Sequence, residues 1–269
     1  MAFFTGPIYS HALQLETQLS VILPHDTKSH HSHDLADGIE PRRTPKTLFL
    51  LHGLSDSSTM WERKTRIEIL AEKYDLAVIM PECQRGFYLN MKNGYPFEDY
   101  IVKELPELVS QMFHLSVEPE DLLIAGLSMG GYGTMKCALK YPENYCFAGC
   151  FSGGFDIRSL MEDPEFSDIV LSTDRGGIFG TGSIPQDADL FYLVQNPASE
   201  KKVPLYITCG RQDFLYKMTQ SMIKALEENN YPFKYEEWDG VHDWYFWDTS
   251  IEKMLAFYFS SEKQTGASL

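Results

Sequence analysis

The sequence predicts an α/β fold in which a mostly parallel central sheet carries helices on both faces. From position 46 onward, short apolar runs alternate with longer segments of helical periodicity, which is the pattern of repeated strand–helix units. The apolar runs are continuous, as expected of strands that are buried on both faces of a sheet. The predicted strands span residues 47–51, 76–80, 122–125, 145–151, 205–209 and 233–238.

Helices are predicted between and after these strands, because apolar side chains recur there every three or four residues. One such stripe consists of Ile101, Leu105, Leu108 and Met112. Pro106 falls inside this stripe, so we expect it to kink the helix or to mark its true start. Other helices are predicted over 129–141 and 215–226, and around Trp247, Ile251, Met254 and Leu255.

We expect a single domain over residues 1–269, since a chain of this length with 43% apolar residues can bury one sizeable core. Apolar positions between 3 and 23 predict two antiparallel strands, and a polar loop over 25–44 follows. Residues 155–200 lack sustained periodicity and are predicted to form a small irregular cap over the carboxyl ends of the strands. Residues 261–269 are predicted to be a frayed polar tail.

The charge of the chain argues against some classes of partner. The formal net charge is −15, from 38 acidic and 23 basic residues. Such a surface repels nucleic-acid phosphates and anionic lipid headgroups. We therefore expect a small-molecule substrate and neither nucleic acid nor membrane as a partner, and the sequence is compatible with a homo-oligomer.

The cysteines and the N-terminal segment indicate a reduced, cytoplasmic protein. Five cysteines are an odd number and none belongs to a CxxC pair, so neither a zinc ribbon nor a thioredoxin-type site is indicated. The first residues lack a basic region followed by a long apolar one. No later apolar run approaches the roughly 20 residues of a membrane span.

The strongest chemical signal is the motif Gly126-Leu127-Ser128-Met129-Gly130, between a predicted strand and a predicted helix. In this setting Gly-x-Ser-x-Gly is typical of a nucleophilic serine, because the tight turn raises the hydroxyl above the sheet and needs small neighbours. The helix start also presents free N–H groups to a developing oxyanion. Ser128 is the predicted nucleophile; a structural glycine-rich turn is the alternative.

A serine hydroxyl needs a base, and in this architecture an acid and then a histidine follow the serine along the chain. His242 is the one histidine after Ser128, so it is the predicted base. Asp213 is the predicted orienting acid, because it follows strand 205–209 at the edge where active groups collect. Asp239 and Asp156 are weaker candidates, and Asp243 is disfavoured because it directly adjoins the histidine.

The oxyanion is predicted to be held by two backbone donors, the N–H groups of Met129 and Leu54. Leu54 ends the Leu51-His52-Gly53-Leu54 turn, in which Gly53 permits close backbone approach. Four aromatic residues that flank the motifs are candidates for the substrate pocket, although core packing explains each equally well. They are Trp61, Phe87, Tyr88 and Trp244.

No metal or other cofactor is expected. A histidine-rich stretch offers the alternative of a zinc or nickel site, but ligands on a long polar loop lack fixed geometry, so a solvated loop is the preferred interpretation. Its residues are His25, His30, His31, His33 and Asp34.

Together these motifs resemble the putative-esterase family, which includes esterase D (S-formylglutathione hydrolase), feruloyl and acetyl-xylan esterases, and bacterial tributyrin esterases. The resemblance is closest to the tributyrin esterases and runs from about residue 47 to 257. The segments that carry it are Leu51-His52-Gly53, the run from Ala125 to Gly133, Gly240-Val241-His242-Asp243-Trp244, and Gly86-Phe87-Tyr88.

The resemblance implies an α/β-hydrolase fold and metal-free hydrolysis of short acyl esters, from acetyl to butyryl, including acetylated sugars. It supports Ser128, Asp213 and His242 as the triad. An S-formylglutathione-type thioesterase is the alternative within the enzymes, since the same triad serves thioesters, and acyl transfer to a sugar alcohol is another. A non-catalytic binding module on the same fold is the alternative of a different class.

Overall fold

The central sheet is mixed at one edge and parallel elsewhere. The structure, a computed structural model, describes residues 1–24 and 45–266, and within them the sheet has the order β1-β2-β4-β3-β5-β6-β7-β8. Strand β2 pairs antiparallel with β1 and β4, and the other pairs are parallel. The strands are β1 (Ala2–Ser10), β2 (Leu15–Leu23), β3 (Lys46–Leu51), β4 (Leu76–Pro81), β5 (Leu122–Leu127), β6 (Phe147–Phe151), β7 (Leu205–Gly210) and β8 (Phe233–Trp238).

The predicted strands are confirmed, with small differences at their ends. Strand β5 continues past the predicted end to Leu127. Strand β6 begins at Phe147, two residues later than predicted, and a 3₁₀ turn over Pro142–Asn144 precedes it. The two antiparallel strands predicted near the N-terminus are β1 and β2. The predicted loop over 25–44 lies outside the described residues.

Helices cover both faces of the sheet, as the continuous apolar strands predict. Phe49 and Ile124 point into a core shared with Met222, whereas Leu48 and Leu123 point into one shared with Ile251. The helices are α1 (Met60–Lys64), α2 (Ile67–Tyr74), α3 (Phe97–Asp99), α4 (Leu105–Phe113), α5 (Met129–Lys140), α6 (Ile157–Glu162), α7 (Ser172–Phe179), α8 (Leu190–Gln195), α9 (Tyr216–Glu228) and α10 (Trp244–Gly266).

Pro106 marks the start of helix α4, which is one of the two outcomes expected for it. It occupies the first turn of this helix, where proline is tolerated. The preceding Tyr100–Glu104 segment is a single π-helical turn that joins α3 to α4. No helix within the described ranges has the length and apolarity that a membrane span requires.

Two segments contain more helix than the sequence predicts. The segment 155–200 contains helices α6, α7 and α8 and 3₁₀ turns over Pro164–Phe166 and Gln186–Ala188. These helices are too short for periodicity to emerge from the sequence. Helix α10 runs to Gly266, so residues 261–266 of the predicted tail are helical, whereas 267–269 lie outside the described residues.

A buried charge network joins α3, α5 and the cap. The Glu98 carboxylate lies 2.5 Å from Lys136 Nζ and 2.7 Å from Lys140 Nζ, and it accepts a 2.6 Å hydrogen bond from the Tyr141 hydroxyl. Lys140 also pairs with Asp187 at 2.7 Å. Burial alone would raise the pKa of Glu98, but the Lys136 charge and these hydrogen bonds outweigh it and lower that pKa to about 2.

Replacing Glu98 by Gln is expected to lower the free energy of unfolding by about 3 to 5 kcal/mol, because Lys136 is left buried without a counter-charge. Ionised Glu98 stabilises the fold above its ordinary pKa of 4.5, and this contribution is lost as the pH falls towards 2. Urea unfolding at a series of pH values measures both effects. The exposed Lys103→Ala change is the control. A Glu98→Gln protein of wild-type stability at neutral pH would contradict the expectation.

Candidate active site

The predicted catalytic residues meet at the carboxyl edge of the parallel strands. Ser128 directly follows β5, Asp213 follows β7, and His242 follows β8. These strands run parallel, so the segments that follow them emerge at the same edge of the sheet. Side chains that are distant in the sequence are thereby brought into contact.

The three side chains form a continuous chain of hydrogen-bonding distances. His242 Nε2 lies 3.0 Å from Ser128 Oγ, and His242 Nδ1 lies 2.9 Å from Asp213 Oδ2. With a proton on Nδ1, the ring donates to the carboxylate and offers Nε2 as acceptor to the serine hydroxyl. This is the arrangement in which an imidazole can take a proton from a hydroxyl.

Ser128 has a strained backbone that raises it above the sheet. Its φ is 53° and its ψ is −115°, a region that residues with side chains rarely adopt. A Cβ on Gly126 would lie 2.5 Å from the Gly130 carbonyl oxygen, and one on Gly130 would lie 2.5 Å from the Leu51 carbonyl oxygen. The turn therefore closes only because both flanking positions lack a side chain, as the motif predicts.

The side chains of His242 and Asp213 are held by their surroundings. The buried Asp213 carboxylate also accepts a 2.9 Å hydrogen bond from the Leu215 N–H. The His242 ring lies between Phe214 and Trp247, with ring centroids 4.5 and 4.9 Å away. These contacts fix the orientation of the imidazole, which a proton relay requires.

The other carboxylates weighed from the sequence have structural roles. Asp156 caps helix α6 by accepting hydrogen bonds from backbone N–H groups. Asp243 accepts a 2.9 Å hydrogen bond from the Phe246 N–H in the first turn of α10, and Asp239 pairs with Arg211 at 3.3 Å. Asp156 and Asp243 thus stabilise helix starts and Asp239 belongs to an exposed ion pair, whereas Asp213 is the one of the four that contacts His242.

The two backbone donors named from the sequence lie on segments that border the space beside Ser128. Met129 is the first residue of α5, so its N–H has no partner within the helix. The Gly53 carbonyl, which shares a peptide plane with the Leu54 N–H, receives the His52 Nδ1–H at 2.7 Å. Carbonyl and N–H point in opposite directions in a trans peptide, so this contact directs the Leu54 N–H away from the His52 ring.

A cavity of about 440 Å³ opens beside Ser128 and His242 and is bordered by the cap. Most of its wall is apolar. Arg85 is the one lysine or arginine among the described residues that line it, and its guanidinium is bound to Asp174 at 2.7 and 2.8 Å. The lining comprises Leu54, Ser55, Arg85, Phe87, Ser128, Met129, Gly154, Leu160, Asp168, Ile169, Val170, Leu171, Phe214, Leu215 and His242.

Of the four aromatic candidates for the pocket, Phe87 lines this cavity and the other three do not. Trp61 is buried, and its Nε1–H donates to the Leu51 carbonyl at 2.9 Å. Trp244 packs edge-on against Trp61, and Tyr88 is buried with its hydroxyl on the His52 carbonyl. For these three, core packing is the better account, because a place near a motif in the sequence does not decide which way a side chain points.

The cap residues of the cavity and one acidic residue near the site were not predicted from the sequence. Ile169 and Leu171 belong to a segment without recognisable periodicity. Burial raises the pKa of the Asp56 carboxyl, although the electrostatic influence of His52 and His242 opposes the shift. The histidine-rich stretch weighed as a metal site lies outside the described residues.

Solved structures define the class to which this fold and site belong. FphF of Staphylococcus aureus, a fluorophosphonate-binding serine hydrolase with substrate bound, is 36% identical with a TM-score of 0.83, over 95% of this chain and 97% of that one. The S-formylglutathione hydrolase FrmB of the same organism is also 36% identical, with a TM-score of 0.81, over 95% and 98%. The chain therefore has the α/β-hydrolase fold, as predicted.

Sequence comparisons then give the family. The putative esterase family matches residues 10–258. An acetyl esterase of Caldicellulosiruptor saccharolyticus is 31% identical over 93% of this chain and 96% of its own length. An S-formylglutathione hydrolase of Bos taurus is 26% identical over 76% of this chain and 79% of its own length. The chain belongs to the putative esterase family, and it is a carboxylic ester hydrolase.

Replacing Gly130 by Ala is expected to destabilise the protein by about 3 kcal/mol and to abolish esterase activity, because the new methyl group would overlap the Leu51 and His52 carbonyl oxygens. Thermal unfolding and hydrolysis of p-nitrophenyl acetate measure the two effects. Gly182→Ala is the matched control, since its Cβ would lie 3.6 Å from its nearest neighbour. Equal stability and activity in the two variants would contradict the close-approach argument.

Proposed function

We propose that this esterase hydrolyses short-chain acyl esters, from acetyl to butyryl and including acetylated sugars, with Ser128 as nucleophile. The observation that carries the proposal is the chain of contacts from Ser128 Oγ through His242 to the Asp213 carboxylate, at 3.0 and 2.9 Å. A hydroxyl is a weak nucleophile by itself, and a hydrogen-bonded imidazole is the usual means of activating it.

In the first step His242 Nε2 takes the proton of Ser128 as Oγ attacks the ester carbonyl. The carbonyl oxygen becomes an oxyanion, which accepts hydrogen bonds from the Leu54 and Met129 N–H groups. Asp213 holds the imidazole in the required tautomer and stabilises its positive charge. The imidazolium then gives its proton to the leaving alcohol, and an acyl-enzyme on Ser128 is left.

In the second step a water molecule replaces the alcohol. His242 takes a proton from the water, whose oxygen attacks the acyl carbonyl and forms a second oxyanion at the same two donors. When this intermediate collapses, Ser128 Oγ recovers its proton from His242 and the carboxylic acid departs. Every proton and electron pair in this cycle is supplied by the chain, the ester and water.

The cavity wall favours leaving groups that carry no negative charge. The Arg85 guanidinium already donates two hydrogen bonds to the Asp174 carboxylate. Asp168 adds a carboxylate to the same wall. The described wall therefore offers no unengaged lysine or arginine to a carboxylate on the leaving group. This argues for neutral alcohols over glutathione, whose thioester is the alternative substrate.

Ser128→Ala is expected to remove both esterase activity and covalent labelling by a fluorophosphonate, because Oγ is the atom that reacts. Asp213→Asn is expected to lower kcat about ten-thousand-fold, since an amide does not hold the correct imidazole tautomer. Asp239→Asn, which changes a carboxylate on the surface, is the control. A well-folded wild-type protein that is never labelled would favour the non-catalytic binding module instead.

Leaving-group charge can be tested on two thioesters with the same acyl group, S-acetylglutathione and the acetyl thioester of N-acetylcysteamine. We expect kcat/KM to be about ten-fold lower for the anionic glutathione thioester, because the wall and the net charge of the chain repel it. The kcat/KM values for p-nitrophenyl acetate and p-nitrophenyl butyrate serve as the reference for oxygen esters. A preference for the glutathione thioester would support the S-formylglutathione alternative.

A further inference from the structure

Tyr88 lies between the two backbone segments that carry the proposed oxyanion donors. Its hydroxyl donates a 2.9 Å hydrogen bond to the His52 carbonyl, in the turn that leads to Leu54. Its ring rests on α5, where a Cβ on Gly133 would lie 2.5 Å from the Tyr88 Cδ2 atom. One buried side chain therefore touches both the turn with the Leu54 N–H and the helix that begins with the Met129 N–H.

The backbone that presents Tyr88 is strained. Three residues of the segment 84–88 have positive φ without being glycine: Gln84 at 51°, Phe87 at 51° and Tyr88 at 54°. Each such residue costs free energy and persists only where its surroundings enforce it, and these conformations concentrate at functional sites. In this conformation the Tyr88 hydroxyl donates to a backbone carbonyl of the turn that leads to Leu54.

The rest of that turn is held by other side chains. The His52 ring donates from Nδ1 to the Gly53 carbonyl and accepts the Cys83 N–H at Nε2, at 2.7 and 2.9 Å. The Tyr88 contact fixes the adjacent peptide, between His52 and Gly53. Burial raises the pKa of the Tyr88 hydroxyl well above its ordinary value, so it stays protonated and remains a donor.

We propose that Tyr88 is a positioning residue that sets the separation of the Leu54 and Met129 N–H groups. It does not touch the substrate, since it does not line the cavity. Its hydroxyl holds the turn that carries the Leu54 N–H. Its ring sets the distance between that turn and helix α5, which carries the Met129 N–H. The proposal rests on the proposed function, because it concerns the two donors assigned there.

Tyr88→Phe tests the hydroxyl. We expect kcat to fall about ten-fold with KM unchanged, a partial loss compared with the hundred-fold or greater effect of removing a whole donor. An alkyl trifluoromethyl ketone, whose adduct with Ser128 places an oxyanion at the same donors, should bind about ten-fold more weakly. A substrate-binding role would instead change KM.

Tyr132→Phe is the matched control, because its buried hydroxyl also donates to a backbone carbonyl, that of Ala188 at 2.7 Å, away from the oxyanion turn. Both variants should lose thermal stability, but only Tyr88→Phe should lose kcat and affinity for the ketone. If both variants kept wild-type kcat, or both lost it equally, the proposal would be overturned.

Gly133→Ala provides a second test that keeps the hydroxyl, in case Tyr88→Phe does not fold. The added methyl group must displace the Tyr88 ring, so kcat should again fall while KM stays constant. Gly176→Ala has open space around its Cβ and is the control. Unchanged kcat in a folded Gly133→Ala protein would overturn the proposal, whereas a wild-type protein without activity or fluorophosphonate labelling would refute the proposed function itself.

Discussion

The close approach of two backbone segments, the turn after β3 and the first turn of α5, is the constraint on which the rest of the site depends. Gly130 lies so near the Leu51 and His52 carbonyl oxygens that no side chain fits between them. This contact brings the N-terminus of α5 to the turn that carries Leu54. Ser128 has a strained conformation, because β5 turns into α5 within this single residue.

The segment after β4 connects this turn to the cap. Cys83 and Tyr88 contact His52, whereas Arg85 binds Asp174 of α7. The cap wall of the cavity and the turn proposed to hold the oxyanion are thus attached to one short stretch of chain. On the proposed mechanism, a change in this stretch would act on substrate selection and on the chemistry together.

The sequence predicted the parallel strands and the contact of Ser128, Asp213 and His242, because strand order, motif spacing and the shared edge of a parallel sheet determine them. It did not predict the helices of the cap, which are too short to show a period. It also gave no sign that the polar atoms of Trp61 and Tyr88 bind backbone carbonyls. Local sequence places a residue on an element, but long-range packing decides what its side chain contacts.

The position of β8 has a consequence for how the molecule fails under stress. In the described sheet β8 is an edge strand that pairs with β7 alone, and its side chains are mostly half-buried. His242 follows this strand, so local fraying of the edge would separate the imidazole from Ser128 while the central strands stay paired. Elements with few buried contacts open at lower free energy than the core. With His242 as the proposed base, heating or mild denaturant should therefore inactivate the enzyme reversibly before its tertiary structure is lost.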